Sequence, residues 1–264
     1  MAVEHRVEVL TDTEWAILRP LIEECRPHGK TQHHDLRRTI EAILWRHQNG
    51  AKWRSISSEL GPWWMAAQTF IRWARLGVWE RLLDLAQQRG DRPGHDLPGR
   101  HEHPGARQGG GRVEKRGSGA QRDVREALGR SRGGYGTKAC VIVDGGGRAL
   151  GFALAPGQAH ELPLVPALLA ILPEVPGWVV GDRGYASDAF RQRVWDLGAR
   201  PAIPHKKTDA PVACPAWIYN NRNRVERFWA RIKEWRAIAT RYEKTANSFT
   251  GVLCLAAALD WIKN

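Results

Sequence analysis

No apolar run in this chain reaches the roughly 18 residues that a membrane-spanning helix requires. The opening residues, M-A-V-E-H-R-V-E-V-L, lack the apolar stretch of a secretory signal. Cysteine is sparse: Cys25, Cys140, Cys214 and Cys254 lie far apart and never form C-x-x-C. That excludes a disulfide framework and a clustered zinc site, and it fits buried thiols in a reducing cytoplasm. Acid is short relative to base, with 28 Asp and Glu against 40 Lys and Arg, a formal net charge of +12. Such an excess points to a polyanionic partner, DNA or RNA, and says nothing about fold. A membrane surface would instead call for a long basic amphipathic helix, and none is present, so no membrane partner is expected. What is abundant is tryptophan, 13 residues, mostly at helical spacing among apolar neighbours. Core packing is the reading for these. A length of 264 residues accommodates one or two domains.

Taken in order, residues 10–88 read as helix. Thr11 with Glu14 makes a capping box, and Trp15, Leu18, Leu21 and Ile22 follow as a helical stripe. Asp35 caps a second helix carrying Leu36, Ile40, Ile43, Leu44 and His47, closed by Gly50. His47 reads as a packed histidine, because no second ligand stands at helical spacing. Ser55–Leu60 reads as a short helix, Gly61-Pro62 as a turn, and Met65–Leu76 as a further helix ending at Gly77. Helix, tight turn, helix fits a helix-turn-helix, with Phe70, Ile71 and Ala74 inward and Gln68, Thr69, Arg72 and Arg75 outward toward DNA. An ordinary helical bundle with a basic surface fits the same pattern.

Residues 89–136 change to a Gly-, Pro-, Arg- and His-rich segment with almost no apolar residues, the composition of a basic linker. His101-Glu102-His103 in such a coil is weak support for a metal site. From Thr137, K-A-C-V-I-V-D and R-A-L-G-F-A-L-A read as a hairpin, with Asp144 as the turn residue. Glu161–Leu172 reads as a helix, and G-W-V-V-G-D as a buried strand ending at Asp182. Ser187 or Asp188 caps the next helix, through Leu197. A-R-P-A-I-P is a short strand, and V-L-C-L-A-A-A-L-D-W-I a buried closing helix. Strands alternating with helices predict an α/β layer with a mixed sheet.

Tyr219–Lys233, with no Gly or Pro, reads as one helix. Val225, Phe228, Ile232 and Trp235 form its apolar stripe. Beside them Tyr219, Arg222, Glu226, Trp229 and Lys233 form a second stripe, in which the single acid Glu226 sits among Arg222, Arg224, Arg227 and Arg231. On composition alone this is a solvated face with intrahelical ion pairs. The spacing Tyr219, Arg222, Glu226, Lys233 is similar to the Y-R-E-K signature of bacterial insertion-sequence transposases of the fourth and fifth families. Asp182-Arg183-Gly184-Tyr185 resembles the D-R-G-Y segment of the same enzymes. So do S-R-G-G-Y-G-T-K, F-A-L-A-P-G-Q-A-H-E-L-P and A-T-R-Y-E-K-T-A, and N-terminal segments such as A-I-L-W-R-H-Q-N-G-A-K-W-R. The likeness covers residues 10–88 and 120–264.

That resemblance implies a helical N-terminal domain (1–88), a linker (89–136) and an RNase H-like catalytic core (137–264). It implies that Asp182 and Glu226, 44 residues apart, bind Mg²⁺ (or Mn²⁺) for cleavage and strand transfer. It also implies that Tyr219, Arg222 and Lys233 contact transposon-end DNA, with a homodimer holding two ends.

The family's first aspartate, on a strand like F-L-D-G-T, is missing. Asp91 and Asp96 are the only aspartates between Gly90 and Gln121, and both stand in the Gly/Pro-rich segment. His95–Pro104 can be encoded as CAT GAC CTT CCT GGA CGG CAC GAA CAT CCG. One base later this reads Met-Thr-Phe-Leu-Asp-Gly-Thr-Asn-Ile. Asp91–Gly94 likewise permits Ile-Ala-Leu-Gly. The expectation is that residues of about 91 to 116 are read out of frame, and that the chain as written binds DNA but transposes poorly. The alternatives are a non-catalytic DNA-binding protein or remnant, and an RNase H-like nuclease without strand transfer.

Overall fold

The computed structural model describes residues 9–27, 35–90, 122–123, 125–131 and 134–263. The His101–His103 pair, Asp91, Asp96 and the stretch of about 91 to 116 expected to be read out of frame lie outside the described residues.

Helix α1 (Asp12–Cys25) opens on the expected capping box. The Glu14 N–H donates to the Thr11 hydroxyl at 3.2 Å, and the Thr11 N–H donates to the Glu14 carboxylate at 2.9 Å. The Asp35 carboxylate accepts from the Arg38 N–H at 3.0 Å and starts α2 (Leu36–Asn49). This helix ends on Gly50 at φ 60°, where a Cβ would meet the Tyr242 ring at 2.6 Å. Ser55–Leu60 does not form the expected helix. Two 3₁₀ turns, Trp53–Ser55 and Ser57-capped Ser58–Leu60, take its place. The Ser57 hydroxyl captures the Glu59 N–H at 3.3 Å, a bond that competes with a continuing helix. The limb before the Gly61-Pro62 turn is therefore a pair of turns, short of a helix-turn-helix. Helices α3 (Trp63–Arg75) and α4 (Val78–Gly90) follow.

The hairpin is present. After β1 (Gly129–Ser131), strand β2 (Gly134–Val143) pairs antiparallel with β3 (Ala149–Pro156), from Thr137↔Pro156 to Val143↔Ala149. Strand β2 starts three residues before the expected Thr137. Asp144 is the turn residue: its Oδ1 accepts the Gly146 and Arg148 N–H groups, both at 2.8 Å. The helix expected over Glu161–Leu172 is shorter, a 3₁₀ turn (Leu162–Leu164) and α5 (Val165–Leu169). Pro163 and Pro166 remove two N–H donors from it, and Ile171 and Leu172 close it with tightened bonds to Leu168 and Leu169. Then come β4 (Trp178–Val180), α6 (Asp188–Asp196) capped by the Ser187 hydroxyl, and β5 (Arg200–Ala202), parallel to β4. β4 is only half-buried, not the buried strand expected, and among the described residues it pairs with β5 alone. The chain closes with α7 (Ala216–Tyr219), α8 (Asn223–Ile232), α9 (Arg236–Ala239) and α10 (Ala246–Lys263).

The larger core joins the two ends of the chain. Phe70, Trp79 and Leu82 from the N-terminal helices pack with Val252, Leu253, Leu255 and Leu259 of α10, and with Phe228 and Ile232 of α8. From Gly251 to Leu259 every position of α10 is buried and non-polar, as a helix segment enclosed on all sides must be. A second core, Val165, Leu169, Phe190, Val194 and Ile203, lies under α5 and α6. The result is a mixed α/β architecture, a helical N-terminal region attached to small sheets with helices on both faces.

Candidate active site

Tyr219–Lys233 is not one uninterrupted helix. A 3₁₀ turn, Asn220–Arg222, separates α7 from α8. Asn221 causes the break: its amide donates to the Trp217 and Ile218 carbonyls at 3.0 and 3.2 Å, and its oxygen accepts from Arg224 Nε at 3.2 Å. The apolar stripe holds at its centre, with Phe228 and Ile232 buried and Val225 and Trp235 half-buried. Phe228 packs on Phe152 of β3 at 5.9 Å between ring centres, which seats α8 on the hairpin.

The ion pairs expected around Glu226 do not form. Arg231 turns to Asp260, at 2.9 and 2.8 Å, and donates to the Gly147 carbonyl at 2.7 Å. Arg224 is bound to Asn221. Arg222 lies over the Tyr219 ring at 4.6 Å, and Lys233 over the Trp229 ring at 5.8 Å. Glu226 is exposed and makes no hydrogen bond or ion pair with another described residue. Tyr219 and Arg222 are thus brought together, and the outer face of α8 presents cations held by rings beside an unneutralised carboxylate.

Asp182 follows β4 and is exposed. Its Oδ1 accepts the Gly184 N–H at 2.7 Å and caps the 3₁₀ turn Arg183–Tyr185. Oδ2 has no hydrogen bond among the described residues. The element joining this strand end to α8 is α7, whose Trp217 meets Trp178 of β4 edge-on at 6.0 Å. The loop after Asp182 is anchored by a residue that the sequence reading placed only as a helix start. The Tyr185 hydroxyl donates to Glu161 Oε2 at 2.6 Å, and Lys138 Nζ stands 3.5 Å from Glu161 Oε1. Burial first, and the Glu161 carboxylate second, push the Tyr185 hydroxyl far above its ordinary value, so it stays a neutral donor. The H-E-L-P sequence was the available signal for Glu161.

On α3, Gln68, Arg72 and Arg75 are exposed as expected. Thr69 is not: it is 7 % exposed. α3 packs against α2, α4 and α10, and that breadth of contact pulls position 69 inward with Ala66, Ala67, Phe70 and Trp73.

Among the described residues no three His, Cys, Asp or Glu side chains converge. Asp144 is no substitute, because Arg148 and two backbone amides take up its carboxylate. Asp182 and Glu226 supply hard oxygen donors, but two carboxylates fall short of the set needed to bridge two divalent ions. The donors present do not fit a two-ion site.

Three family models match successive parts of the chain. Residues 10–83 match "Putative transposase of IS4/5 family", and residues 103–211 and 179–263 each match a "Transposase DDE domain". DDE transposase domains depend on divalent metal in general, and transposases act on DNA. A protein of Brucella ovis named "Putative transposase for insertion sequence element IS6501" is 33% identical over 129 residues, 48% of this chain and 98% of that protein. An uncharacterized protein of Sinorhizobium fredii, y4sN, is 24% identical over 82 residues, 31% of this chain and 66% of that protein. No solved structure matches. No helix among the described residues is long and apolar enough to cross a membrane. Helical N-terminal region, D-R-G-Y turn and Y-R-E-K helix match these models in chain order, and the chain belongs to the DDE transposases of insertion sequences.

Proposed function

We propose that this chain recognises transposon-end DNA in the cytoplasm and carries two of the three acids that cut and join it. In this reading Tyr219 at the end of α7, Arg222 in the turn before α8 and Lys233 at the C-terminal cap of α8, with Gln68, Arg72 and Arg75 on α3, meet phosphates and base edges. Residues 1–88 act as the DNA-binding part and 137–264 as an RNase H-like core, joined through 89–136. The observation that carries the reading is Glu226: an exposed carboxylate left unpaired while Arg222 and Lys233 lie over rings, Arg224 is bonded to Asn221 and Arg231 to Asp260. An exposed carboxylate without a protein partner keeps its oxygens open to another ligand. Asp182, with Oδ2 unbonded at the strand end, is its partner. When bound, Mg²⁺ (or Mn²⁺) would neutralise charge on the transferring phosphate.

With the third acid missing from this site, the chain as written binds DNA and fails at strand transfer. The sequence favours that reading over an intact enzyme, and equally the alternative of a DNA-binding remnant, because no segment like F-L-D-G-T is written in it. The test combines gel-shift binding to the element's terminal DNA with strand transfer in Mg²⁺. Binding without transfer is expected, as a homodimer on paired ends. Transfer by this exact chain overturns the missing-acid reading. Absence of binding overturns the DNA-end reading.

A further inference from the structure

Trp217 is 68 % exposed, more than any other large apolar side chain among the described residues. It is not an isolated ring. It meets half-buried Trp178 of β4 edge-on at 6.0 Å between ring centres, and the Arg200 guanidinium of β5 lies over Trp178 at 5.6 Å. Arg200 is exposed, and its side chain makes no hydrogen bond or ion pair with another described residue. Its donors are open to an anion. An aromatic pair with an unpaired guanidinium beside it joins two chemistries, one for flat rings and one for phosphate.

The strand fixes where this surface stands. The ladder between β4 and β5 continues past Val180, because the Gly181 N–H donates to the Ala202 carbonyl at 3.3 Å, and Asp182 keeps an extended backbone at φ −76°, ψ −179°. Side chains two apart on an extended chain share a face. Trp178, Val180 and Asp182 therefore line one side, the side on which α7 lies, while Val179 packs on the other into the core under α5 and α6. Four residues at about 3.3 Å each place the ring pair about 13 Å from Asp182. That distance is about four base steps of DNA.

We propose that Trp217, with Trp178 and Arg200, is a stacking site for an unpaired base of the DNA strand, within about four nucleotides of the phosphate that meets Asp182. Duplex DNA closes the faces of its bases in its own stack, and only an unpaired or terminal base offers one to an indole. The net charge of +12 and the unpaired Arg200 favour a polyanionic strand here over a second copy of this equally basic chain. The proposal rests on the reading of this chain as a binder of DNA ends, and its test separates the two.

The test uses the full chain and fluorescence anisotropy at one salt concentration, on two forms of the element's terminal duplex. One is blunt, and the other carries a four-nucleotide single-stranded extension. The extended form is expected to bind about fivefold more tightly or better, the worth of one stacked base. Trp217→Ala should bind both forms as the parent binds the blunt one, and Trp217→Phe should recover most of the preference. Neither change should move the thermal midpoint, since the ring is exposed. An extension of abasic sugar-phosphates adds charge without bases and should lose the preference. Equal binding of the blunt and extended forms by the parent overturns the stacking site and leaves the DNA-end reading standing. So does an abasic extension that binds as well as the natural one, or a Trp217→Ala chain that keeps the preference. Binding to neither form overturns both readings. A Trp217→Ala chain that loses self-association in sedimentation and keeps the preference makes the ring a contact between copies, and the proposal fails.

Discussion

The contact between Arg46 and Glu243 joins the second helix to the segment before the last one, and breaking it is the sharpest test of how the two chain ends hold together. Arg46 is 7 % exposed and Glu243 8 %, and Arg46 also lies over the Trp53 ring at 4.6 Å. Arg46 Nε has no hydrogen-bond partner, so the guanidinium depends on Glu243 for its neutralisation. Glu243→Gln keeps the shape and removes the charge, leaving a buried cation uncompensated. Breaking a buried pair in this way costs about 3–5 kcal/mol, against a total stability of about 5–15 kcal/mol. Replacing both partners, Arg46→Met with Glu243→Leu, strands no charge and should cost far less than the single change. Urea denaturation of the single and double variants measures the difference as a double-mutant cycle. A loss below about 1 kcal/mol for Glu243→Gln, or a double variant as weak as the sum of the singles, would refute the reasoning.

Acid should act on the same place. Burial lowers His47 below its ordinary value; the stability this contributes is full above that value and is lost as pH falls through it toward the lower folded one. Burial opposes the charge on Glu243, but His47 and Arg46 outweigh it and hold its carboxyl low, so its contribution is lost at still lower pH. Urea midpoints should fall steadily from neutral pH into the acid range, and a midpoint that rises there contradicts both assignments. Arg222→Ala and Lys233→Ala should each weaken DNA binding evenly across sequences and reduce the salt slope by about one, read by titration at several salt concentrations. Gly50→Ala should cost more than about 1 kcal/mol, since φ is positive there and the new Cβ meets Tyr242; a neutral result in thermal unfolding counts against that packing.

What was legible in the sequence was whatever is settled locally. Thr11 with Glu14, Asp35, Gly50 and Ser187 mark helix ends by chemistry acting within four residues, and each is found in that role. The all-apolar closing helix and the Asp144 hairpin turn were equally plain. Misreadings arose where a side chain competed with the backbone, as Asn221 and Ser57 do, or where prolines crowd a helix start. Thr69 was placed outward by elimination along one helix, and only the helices on both sides of α3 reveal that it is enclosed. Pairings across the chain had no local signal at all: Glu243 lies 197 positions from Arg46. At the site, motif spacing singled out Asp182 and Glu226. That Arg231 serves Asp260, and that Glu161 tethers Tyr185, depends on tertiary neighbours that spacing cannot show.

The shared core of first and last helices carries a consequence for how the gene tolerates error. The N-terminal bundle cannot finish its interior until the ribosome has delivered residues 246–263, well over two hundred codons after the bundle's own sequence begins. A lone frame-shifting insertion or deletion anywhere between would scramble that closing segment and leave the front of the protein with an open, sticky interior. Only a second, compensating slip before residue 246 spares it, so a frame-shifted copy that still folds must have slipped twice.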